Sequence, residues 1–134
     1  MNHVLLESSD SGIEVAVVTL DESMMEGRDY FLKIDLESFE MEVILGAKRT
    51  LGNAIGLMVE LNGSGEACGF SDSDVRSVLD TWGFVEVDYD PFTRGLAQMT
   101  NESDNALFVK EERWDQLKQR LVSASPRSVF GVEF

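Results

Sequence analysis

The sequence predicts a single α/β domain, over residues 1–134, with parallel strands, a C-terminal antiparallel pair and flanking helices. Three observations support this fold class. Short β-branched or apolar runs alternate with segments of helical period, two strand–helix–strand units follow one another, and the last two predicted strands are joined by a link without helical period. Successive strand–helix–strand units imply parallel pairing with right-handed crossovers, whereas a link without a helix favours antiparallel pairing.

The first half of the chain supplies three predicted strands. Residues 13–20, IEVAVVTL, are rich in β-branched side chains and predict the first strand, after which Asp21 is positioned to cap a short turn or helix. The second predicted strand, Tyr30–Ile34, is apolar apart from one lysine, as expected for a strand covered on both faces. The third covers residues 54–61, AIGLMVEL.

Helical periodicity predicts three helices. Residues 38–51 carry an apolar side chain at every fourth position, and Ser38 can cap this helix. The second helix starts at a capping box made by Ser71 and Asp74, and the third spans residues 112–123. The apolar faces of the last two helices carry side chains that we expect to pack inward: Trp82, Trp114, Leu117 and Leu121.

Two further strands are predicted in the second half. Residues 84–89 alternate in polarity and are ended by Pro91, and Asn105–Lys110 is the fifth strand. These two strands are expected to be antiparallel. The C-terminal stretch SVFGVEF is compatible with a short strand or an irregular tail.

The charge composition excludes several classes of partner. The chain has 25 acidic and 11 basic residues and a formal net charge of −14, so it repels phosphate backbones and we expect no nucleic-acid partner. No segment is apolar over the length needed to span a bilayer, so we expect no membrane partner. The first residues lack the basic and apolar regions of a signal peptide.

The scarcity of cysteine and histidine excludes several kinds of site. Cys68 is the only cysteine, which rules out an internal disulfide and a thiolate metal cage and fits a cytoplasmic protein. His3 is the only histidine, so neither a Ser-His-Asp triad nor a histidine-rich zinc site is expected.

The most informative feature is an acidic turn after the second predicted strand. Asp35 follows the apolar run directly, with Glu37 and Glu40 close behind, and Glu60 and Asn62 end the next parallel strand. Open α/β sheets bind ligands in the crevice beyond the carboxyl ends of their strands, so we expect these acids to surround a shared hollow. The same acids would also suit structural roles at helix amides and in loop capping.

The acidic turn also carries a family resemblance. KIDLESFEMEVILGAKRTL resembles the signature of the FkbM-type methyltransferases, with TLDE at residues 19–22 and NALFV at residues 105–109 as supporting matches. The positions that match the main motif are Lys33, Ile34, Asp35, Glu37, Phe39, Glu40, Val43, Ile44, Gly46 and Ala47. Ser38 departs from the motif, because the family usually has glycine there.

The resemblance implies a Rossmann-like methyltransferase sheet that uses S-adenosylmethionine. The glycine-rich cofactor loop of that fold has no counterpart upstream of Asp35, so the chain is expected to be truncated and to represent the C-terminal half of such a domain, inactive alone for lack of this loop. The implied reaction is O-methyl transfer to a hydroxyl of a small-molecule or glycan acceptor.

Site residues also follow from the resemblance. Asp35 and Glu37 would be catalytic, one as general base towards the acceptor hydroxyl, and Asp35 and Glu60 would contact the cofactor. Independently of the resemblance, Glu60 and Asn62 would contact the acceptor because they end the strand beside Asp35, and Arg94 because it lies in a loop after the fourth predicted strand.

Two other functions are compatible with the sequence. The chain can be a non-catalytic α/β interaction module, because loss of the cofactor half would leave the strand Tyr30–Ile34 with an open edge, through which a homodimer can form unless residues 13–20 cover it. A weaker hypothesis is a Mg²⁺ or Ca²⁺ site built from Asp35, Glu37 and Glu60.

Overall fold

The structure is a computed structural model that describes residues 15–24, 27–99 and 103–133. Five strands form the main sheet: β1 (Tyr30–Ile34), β2 (Ala54–Glu60), β3 (Phe84–Asp90), β4 (Gly95–Gln98) and β5 (Asn105–Lys110). Two short strands, β6 (Ser128–Val129) and β7 (Val132–Glu133), make a separate hairpin. The helices are α1 (Leu20–Ser23), α2 (Glu40–Leu45), α3 (Lys48–Gly52), α4 (Asp72–Thr81) and α5 (Trp114–Ser123), with single 3-10 turns at Ser64–Cys68 and Glu111–Arg113.

The strand order of the main sheet is β1-β2-β5-β3-β4. Strands β1 and β2 are parallel, and β5 is antiparallel to both β2 and β3. The predicted combination of parallel strands with a C-terminal antiparallel pair is therefore confirmed. Because β1, β2 and β3 all run in one direction, their carboxyl ends lie at the same edge of the sheet.

Two details of this topology differ from the sequence-based expectation. Strands β2 and β3 point the same way but do not pair, since β5 lies between them. The apolar run of β5 favours a position inside the sheet. Its side chains Ala106, Phe108 and Val109 are buried, as expected for a strand that has a neighbouring strand on each side. Strand β4, which was not predicted, forms a hairpin with β3.

The core lies between the sheet and the helices α2, α3 and α4. Buried side chains from all three helices join those of the central strands in one cluster, which includes Ile44, Leu51, Leu57, Leu79 and Phe108. Trp82 packs against this cluster, as predicted. Helix α5 contributes no buried residue, and its predicted inward side chains, Trp114, Leu117 and Leu121, are only half-buried.

The predicted strand over residues 13–20 is wrong within the part that the structure describes. Residues 13 and 14 lie outside the described ranges, residues 15–19 have no regular structure, and Leu20 already belongs to α1. Val15, Val17 and Val18 are between 63% and 88% exposed. A high β-propensity does not make a strand unless a neighbouring strand pairs with it.

The predicted helix over residues 38–51 is two short helices, α2 and α3, separated at Gly46 and Ala47. The break has a long-range cause. The backbone N–H of Asp21 donates to the carbonyl of Gly46 (3.2 Å), and the Asp21 carboxylate accepts the N–H groups of Arg49 (2.9 Å) and Thr50 (2.7 Å). Asp21 thus takes up a carbonyl and two N–H groups that would otherwise form the backbone hydrogen bonds of one continuous helix, and its carboxylate caps the start of α3.

The caps of α1 and α2 also differ from expectation. Thr19, and not Asp21, caps α1 through a capping box with Glu22. Helix α2 begins at Glu40, and its N-cap residue is Phe39, which makes no side-chain cap hydrogen bond. Ser38 therefore does not cap this helix, contrary to the prediction.

The remaining predicted elements agree with the structure. The capping box of Ser71 and Asp74 is present at the start of α4. The C-terminal stretch, left open by the sequence, contains the hairpin of β6 and β7. Among the described residues, no helix combines the length and the apolar character required to cross a bilayer.

Candidate functional site

Asp35 and Glu60 lie side by side at the carboxyl ends of β1 and β2. The register pairs Ile34 with Val59, both buried in the core, so the next residue of each strand lies at an equivalent position. The side-chain carboxyl groups of Asp35 and Glu60 are hydrogen-bonded to each other. The geometry therefore brings together two of the acids that the sequence placed around one hollow.

Lys33 is the third member of this group. It precedes Asp35 by two residues and thus shares a face of the strand with it, and its ammonium group donates a hydrogen bond to the Asp35 carboxylate. That hydrogen bond lowers the pKa of Asp35 below its ordinary value, with smaller lowering contributions from the hydrogen bond with Glu60 and from the lysine charge.

The pKa of Glu60 moves in the opposite direction. It is raised first by the hydrogen bond with Asp35, then by burial, and then by the negative charges of Asp35, Glu37 and Glu40. Asp35 is consequently the first of the two to ionise, and Glu60 keeps its proton to higher pH and donates it to Asp35. Two adjacent carboxyl groups with separated pKa values can serve as an acceptor and a donor of protons at the same pH.

The turn after Asp35 is conformationally strained. Glu37 has φ +50° and Ser38 has φ +90°, so two successive residues with side chains occupy the left-handed region. The Glu40 carboxylate stabilises the turn, because it is buried and its Oε1 accepts the N–H of Leu36 at 3.0 Å. Glu40 thus has a structural partner, while Glu37 acts on the site through its charge on Glu60.

A shallow cleft adjoins the acid pair. It contains about 260 Å³ of empty space, including space open to solvent, between the start of α2 and the loop that leads into α4. Glu40 and Glu60 line it together with the apolar side chains of Met41, Phe70 and Val75. Glu60 therefore belongs both to the acid pair and to the cleft, whereas Asp35 is not among the residues that line it.

Asn62 and Arg94 have structural partners outside the acid pair. The Oδ1 atom of Asn62 accepts the N–H of Ser64 at 3.0 Å, which is the loop-capping arrangement. The guanidinium group of Arg94 donates to the carbonyl of Ala124 at the end of α5. Neither side chain is among those lining the cleft.

The metal hypothesis is not supported by the side-chain positions. Within residues 15–24, 27–99 and 103–133, no three acidic, histidine or cysteine side chains are grouped closely enough to hold a metal ion. Asp35, Glu37 and Glu60 thus do not form the three-carboxylate site that this hypothesis requires.

The role of Lys33 and the distant capping by Asp21 were not predicted from the sequence. The sequence did contain a signal for the role of Lys33, because residues two apart on a strand lie on the same face, where opposite charges can form an ion pair. The second had no local signal, because Asp21 and the amides it caps are 28 and 29 residues apart.

One comparison with known proteins identifies a relationship. A family model described as the methyltransferase FkbM domain matches residues 2–86, a stretch that contains β1, β2, α4 and the first residues of β3. The match therefore includes both Asp35 and Glu60. No curated protein and no solved structure matches the chain significantly.

Proposed function

The chain belongs to the FkbM methyltransferase family, and on this premise we propose that it transfers a methyl group from S-adenosylmethionine to a hydroxyl group of a small molecule or glycan. The observation that carries this proposal is the hydrogen-bonded pair of Asp35 and Glu60 at the carboxyl ends of two parallel strands. Crevices at this edge of open α/β sheets are the usual ligand sites of such folds.

The charge of the site suits a cationic cofactor. S-adenosylmethionine, when bound, supplies an electrophilic methyl group on a positively charged sulfonium. Asp35 and Glu60 would hold its positively charged methionine end, and the nearby charges of Glu37 and Glu40 reinforce the attraction. The residues that the structure describes contain no strand followed by a glycine-rich turn upstream of β1, so we assign no residue to the adenosine end.

Asp35 is the best candidate for general base. Its lowered pKa keeps it ionised, so it can accept the proton of an acceptor hydroxyl placed within hydrogen-bond distance. Lys33 acts as a positioning residue, since its hydrogen bond fixes the carboxylate of Asp35. Glu37 retains a supporting electrostatic role, and Glu60 would orient the acceptor in the cleft.

Two finer assignments belong to the same proposal. Asn62 and Arg94 have hydrogen bonds with Ser64 and Ala124 and do not line the cleft, whereas Glu60 does, so we assign acceptor binding mainly to Glu60. We also propose a cytoplasmic setting, which the single free cysteine, Cys68, supports.

Calorimetric titration of the chain with S-adenosylhomocysteine, the demethylated product, tests the proposal. We expect the wild-type chain to bind this ligand measurably at millimolar concentration. In Asp35→Asn the dissociation constant should be about tenfold higher, because loss of a single charge-assisted hydrogen bond changes affinity by about that factor. Asp80→Asn is the matched control, since it removes one negative charge from an exposed position on α4. Absence of heat with the wild-type chain, or equal losses in both variants, would contradict cofactor binding at Asp35.

A second candidate function is that of a non-catalytic interaction module. It is favoured by the position of β1 at the edge of the sheet, where no strand of the described residues pairs with its outer side. Residues 15–19, which belong to the segment expected to cover this edge, are not in a strand.

A further inference from the structure

The outer edge of β1 is the feature that carries a further inference. Strand β1 pairs with β2 on one side, and within the described ranges of the chain no strand pairs with its other side. A strand edge of this kind presents backbone N–H and C=O groups to any strand that can match them. The side chains along β1 determine which strand matches.

The charges along this edge are self-complementary. Lys33 and Asp35 are two residues apart on one face of the strand, and their side chains are 57% and 40% exposed. When two copies of a strand pair antiparallel around a two-fold axis, residues equally far from the axis lie opposite each other. An axis at Ile34 therefore places Lys33 of each copy opposite Asp35 of the other.

We propose that two copies of this chain associate by antiparallel pairing around a two-fold axis at Ile34, so that the end of β1 in each copy pairs with the two residues that follow β1 in the other. In this register each Leu32 faces Leu36 of the other copy. The pairing therefore covers Leu36, which is 48% exposed in the single chain. The pairing ends at Glu37, where the backbone enters the left-handed region. The interface is thus a short strand pair with reciprocal ion pairs on either side of its two-fold axis.

Neighbouring registers lack this complementarity. An axis at Lys33 would place two lysines opposite each other, and an axis at Leu32 would place Lys33 opposite Phe31. Like charges directly opposite on paired strands are destabilising, whereas opposite charges are stabilising. The charge pattern therefore favours a second copy of the chain, in one register, as the occupant of this edge.

The dimer is expected to be weak and dependent on concentration. A strand pair of about five residues buries less area than a stable interface requires, and the formal net charge of −14 adds repulsion between the copies. The proposal goes beyond methyl transfer and does not depend on it.

Mixing two charge-reversal variants tests the register. In Lys33→Asp alone, and in Asp35→Lys alone, like charges face each other across the two-fold axis. In a mixture of the two, each variant supplies the charge that the other lacks, so both opposite-charge pairs return. Lys48→Asp, at an exposed position on α3, makes the same change in net charge as Lys33→Asp but away from the edge, and it serves as the control for that variant.

Sedimentation equilibrium provides the measurement. For the wild-type chain and the control we expect the average mass to rise with concentration from 14.9 kDa towards twice that value. Each single reversal should weaken association about tenfold, and the equimolar mixture should recover it. Circular dichroism of each variant establishes that it is folded.

Three outcomes would overturn the proposal. If the wild-type chain stays monomeric at all concentrations, a second copy does not pair with the edge of β1. The partner of this edge would then be another segment of the chain or a different polypeptide. Unchanged association of both single variants would place the interface on another surface. Failure of the folded variants to associate in the mixture would contradict the reciprocal pairing of Lys33 and Asp35.

Discussion

The carboxyl groups of Asp35 and Glu60 share a hydrogen bond across two parallel strands, and this contact is the main cause of the raised pKa of Glu60. The pKa of Asp35 is lowered chiefly by its hydrogen bond from Lys33 and secondly by the hydrogen bond with Glu60. The hydrogen bond that Lys33 donates to Asp35 favours ionisation of Asp35 and so distinguishes the two carboxyl groups. The pKa values of two chemically similar groups are thereby moved apart, which is the property that an acid–base site needs.

Replacement of Glu60 should change how stability depends on pH. A carboxyl group whose pKa is raised by folding contributes stability below its unfolded pKa, and this contribution is lost as the pH rises through the folded pKa. Glu60→Gln cannot ionise, so its melting temperature should rise relative to the wild-type chain as the pH increases from acid to neutral. Thermal unfolding at a series of pH values measures the difference, and a difference constant with pH would show that Glu60 titrates normally.

Replacement of Asp21 should destabilise the fold through the loss of a helix cap. Asp21→Ala leaves the N–H groups of Arg49 and Thr50 without their acceptor, which should cost about 1–2 kcal/mol of unfolding free energy in urea. Asp21→Asn is the control, because its amide oxygen can still accept one of these N–H groups. Equal losses in both variants would mean that the carboxylate charge, and not the cap, is what matters.

The same residue predicts a loss of stability in acid. Burial alone would raise the pKa of Asp21, but the hydrogen bonds from Arg49 and Thr50 outweigh it, so that the pKa lies below its ordinary value. A lowered carboxyl pKa contributes stability above the unfolded pKa that disappears as the pH falls through the folded pKa. The stability difference between the wild-type chain and Asp21→Ala should therefore shrink as the pH falls in the acid range.

Glycine at position 38 should stabilise the strained turn. Ser38 has φ +90°, a conformation that glycine adopts without steric cost, so Ser38→Gly should raise the unfolding free energy by about 1 kcal/mol. Ser77→Gly, in the middle of α4, is the control and should lower it by a similar amount. A destabilised Ser38→Gly would show that the serine side chain has a favourable role that outweighs the strain.

Gly56 should tolerate no side chain. A Cβ atom there would lie 2.7 Å from the carbonyl oxygen of Phe108 and 3.1 Å from the ring of Phe31. Gly56→Ala should consequently cost about 1–3 kcal/mol in thermal or urea unfolding. Gly52→Ala, at the end of α3 where nothing lies within 4 Å, should be neutral or slightly stabilising, and a similar result for Gly56→Ala would be inconsistent with this packing.

The parts of the fold that sequence reasoning predicted are those with local causes. Tyr30–Ile34 and Asn105–Lys110 are apolar runs with clear ends, and Ser71 with Asp74 is a self-contained capping signal. The adjacency of Asp35 and Glu60 followed from parallel pairing, because equivalent strand ends meet at one edge of the sheet.

The parts that sequence reasoning missed depend on distant residues. The interruption at Gly46 is caused by Asp21, whose partners lie far along the chain. Strand β4 has only four residues and exists because β3 offers an edge to pair with. The apolar run of β5 favours a position with a neighbour on each side, but it does not specify that these neighbours are β2 and β3.

The measurement that tests the central claim most directly is a carbon-13 NMR titration of the side-chain carboxyl groups in the wild-type chain. The account predicts that Asp35 titrates below the ordinary aspartate range, that Glu60 titrates above the ordinary glutamate range, and that the resonance of each responds to ionisation of the other. Two independent titrations at ordinary values would contradict the shared hydrogen bond, and with it the assignment of this strand edge as the site.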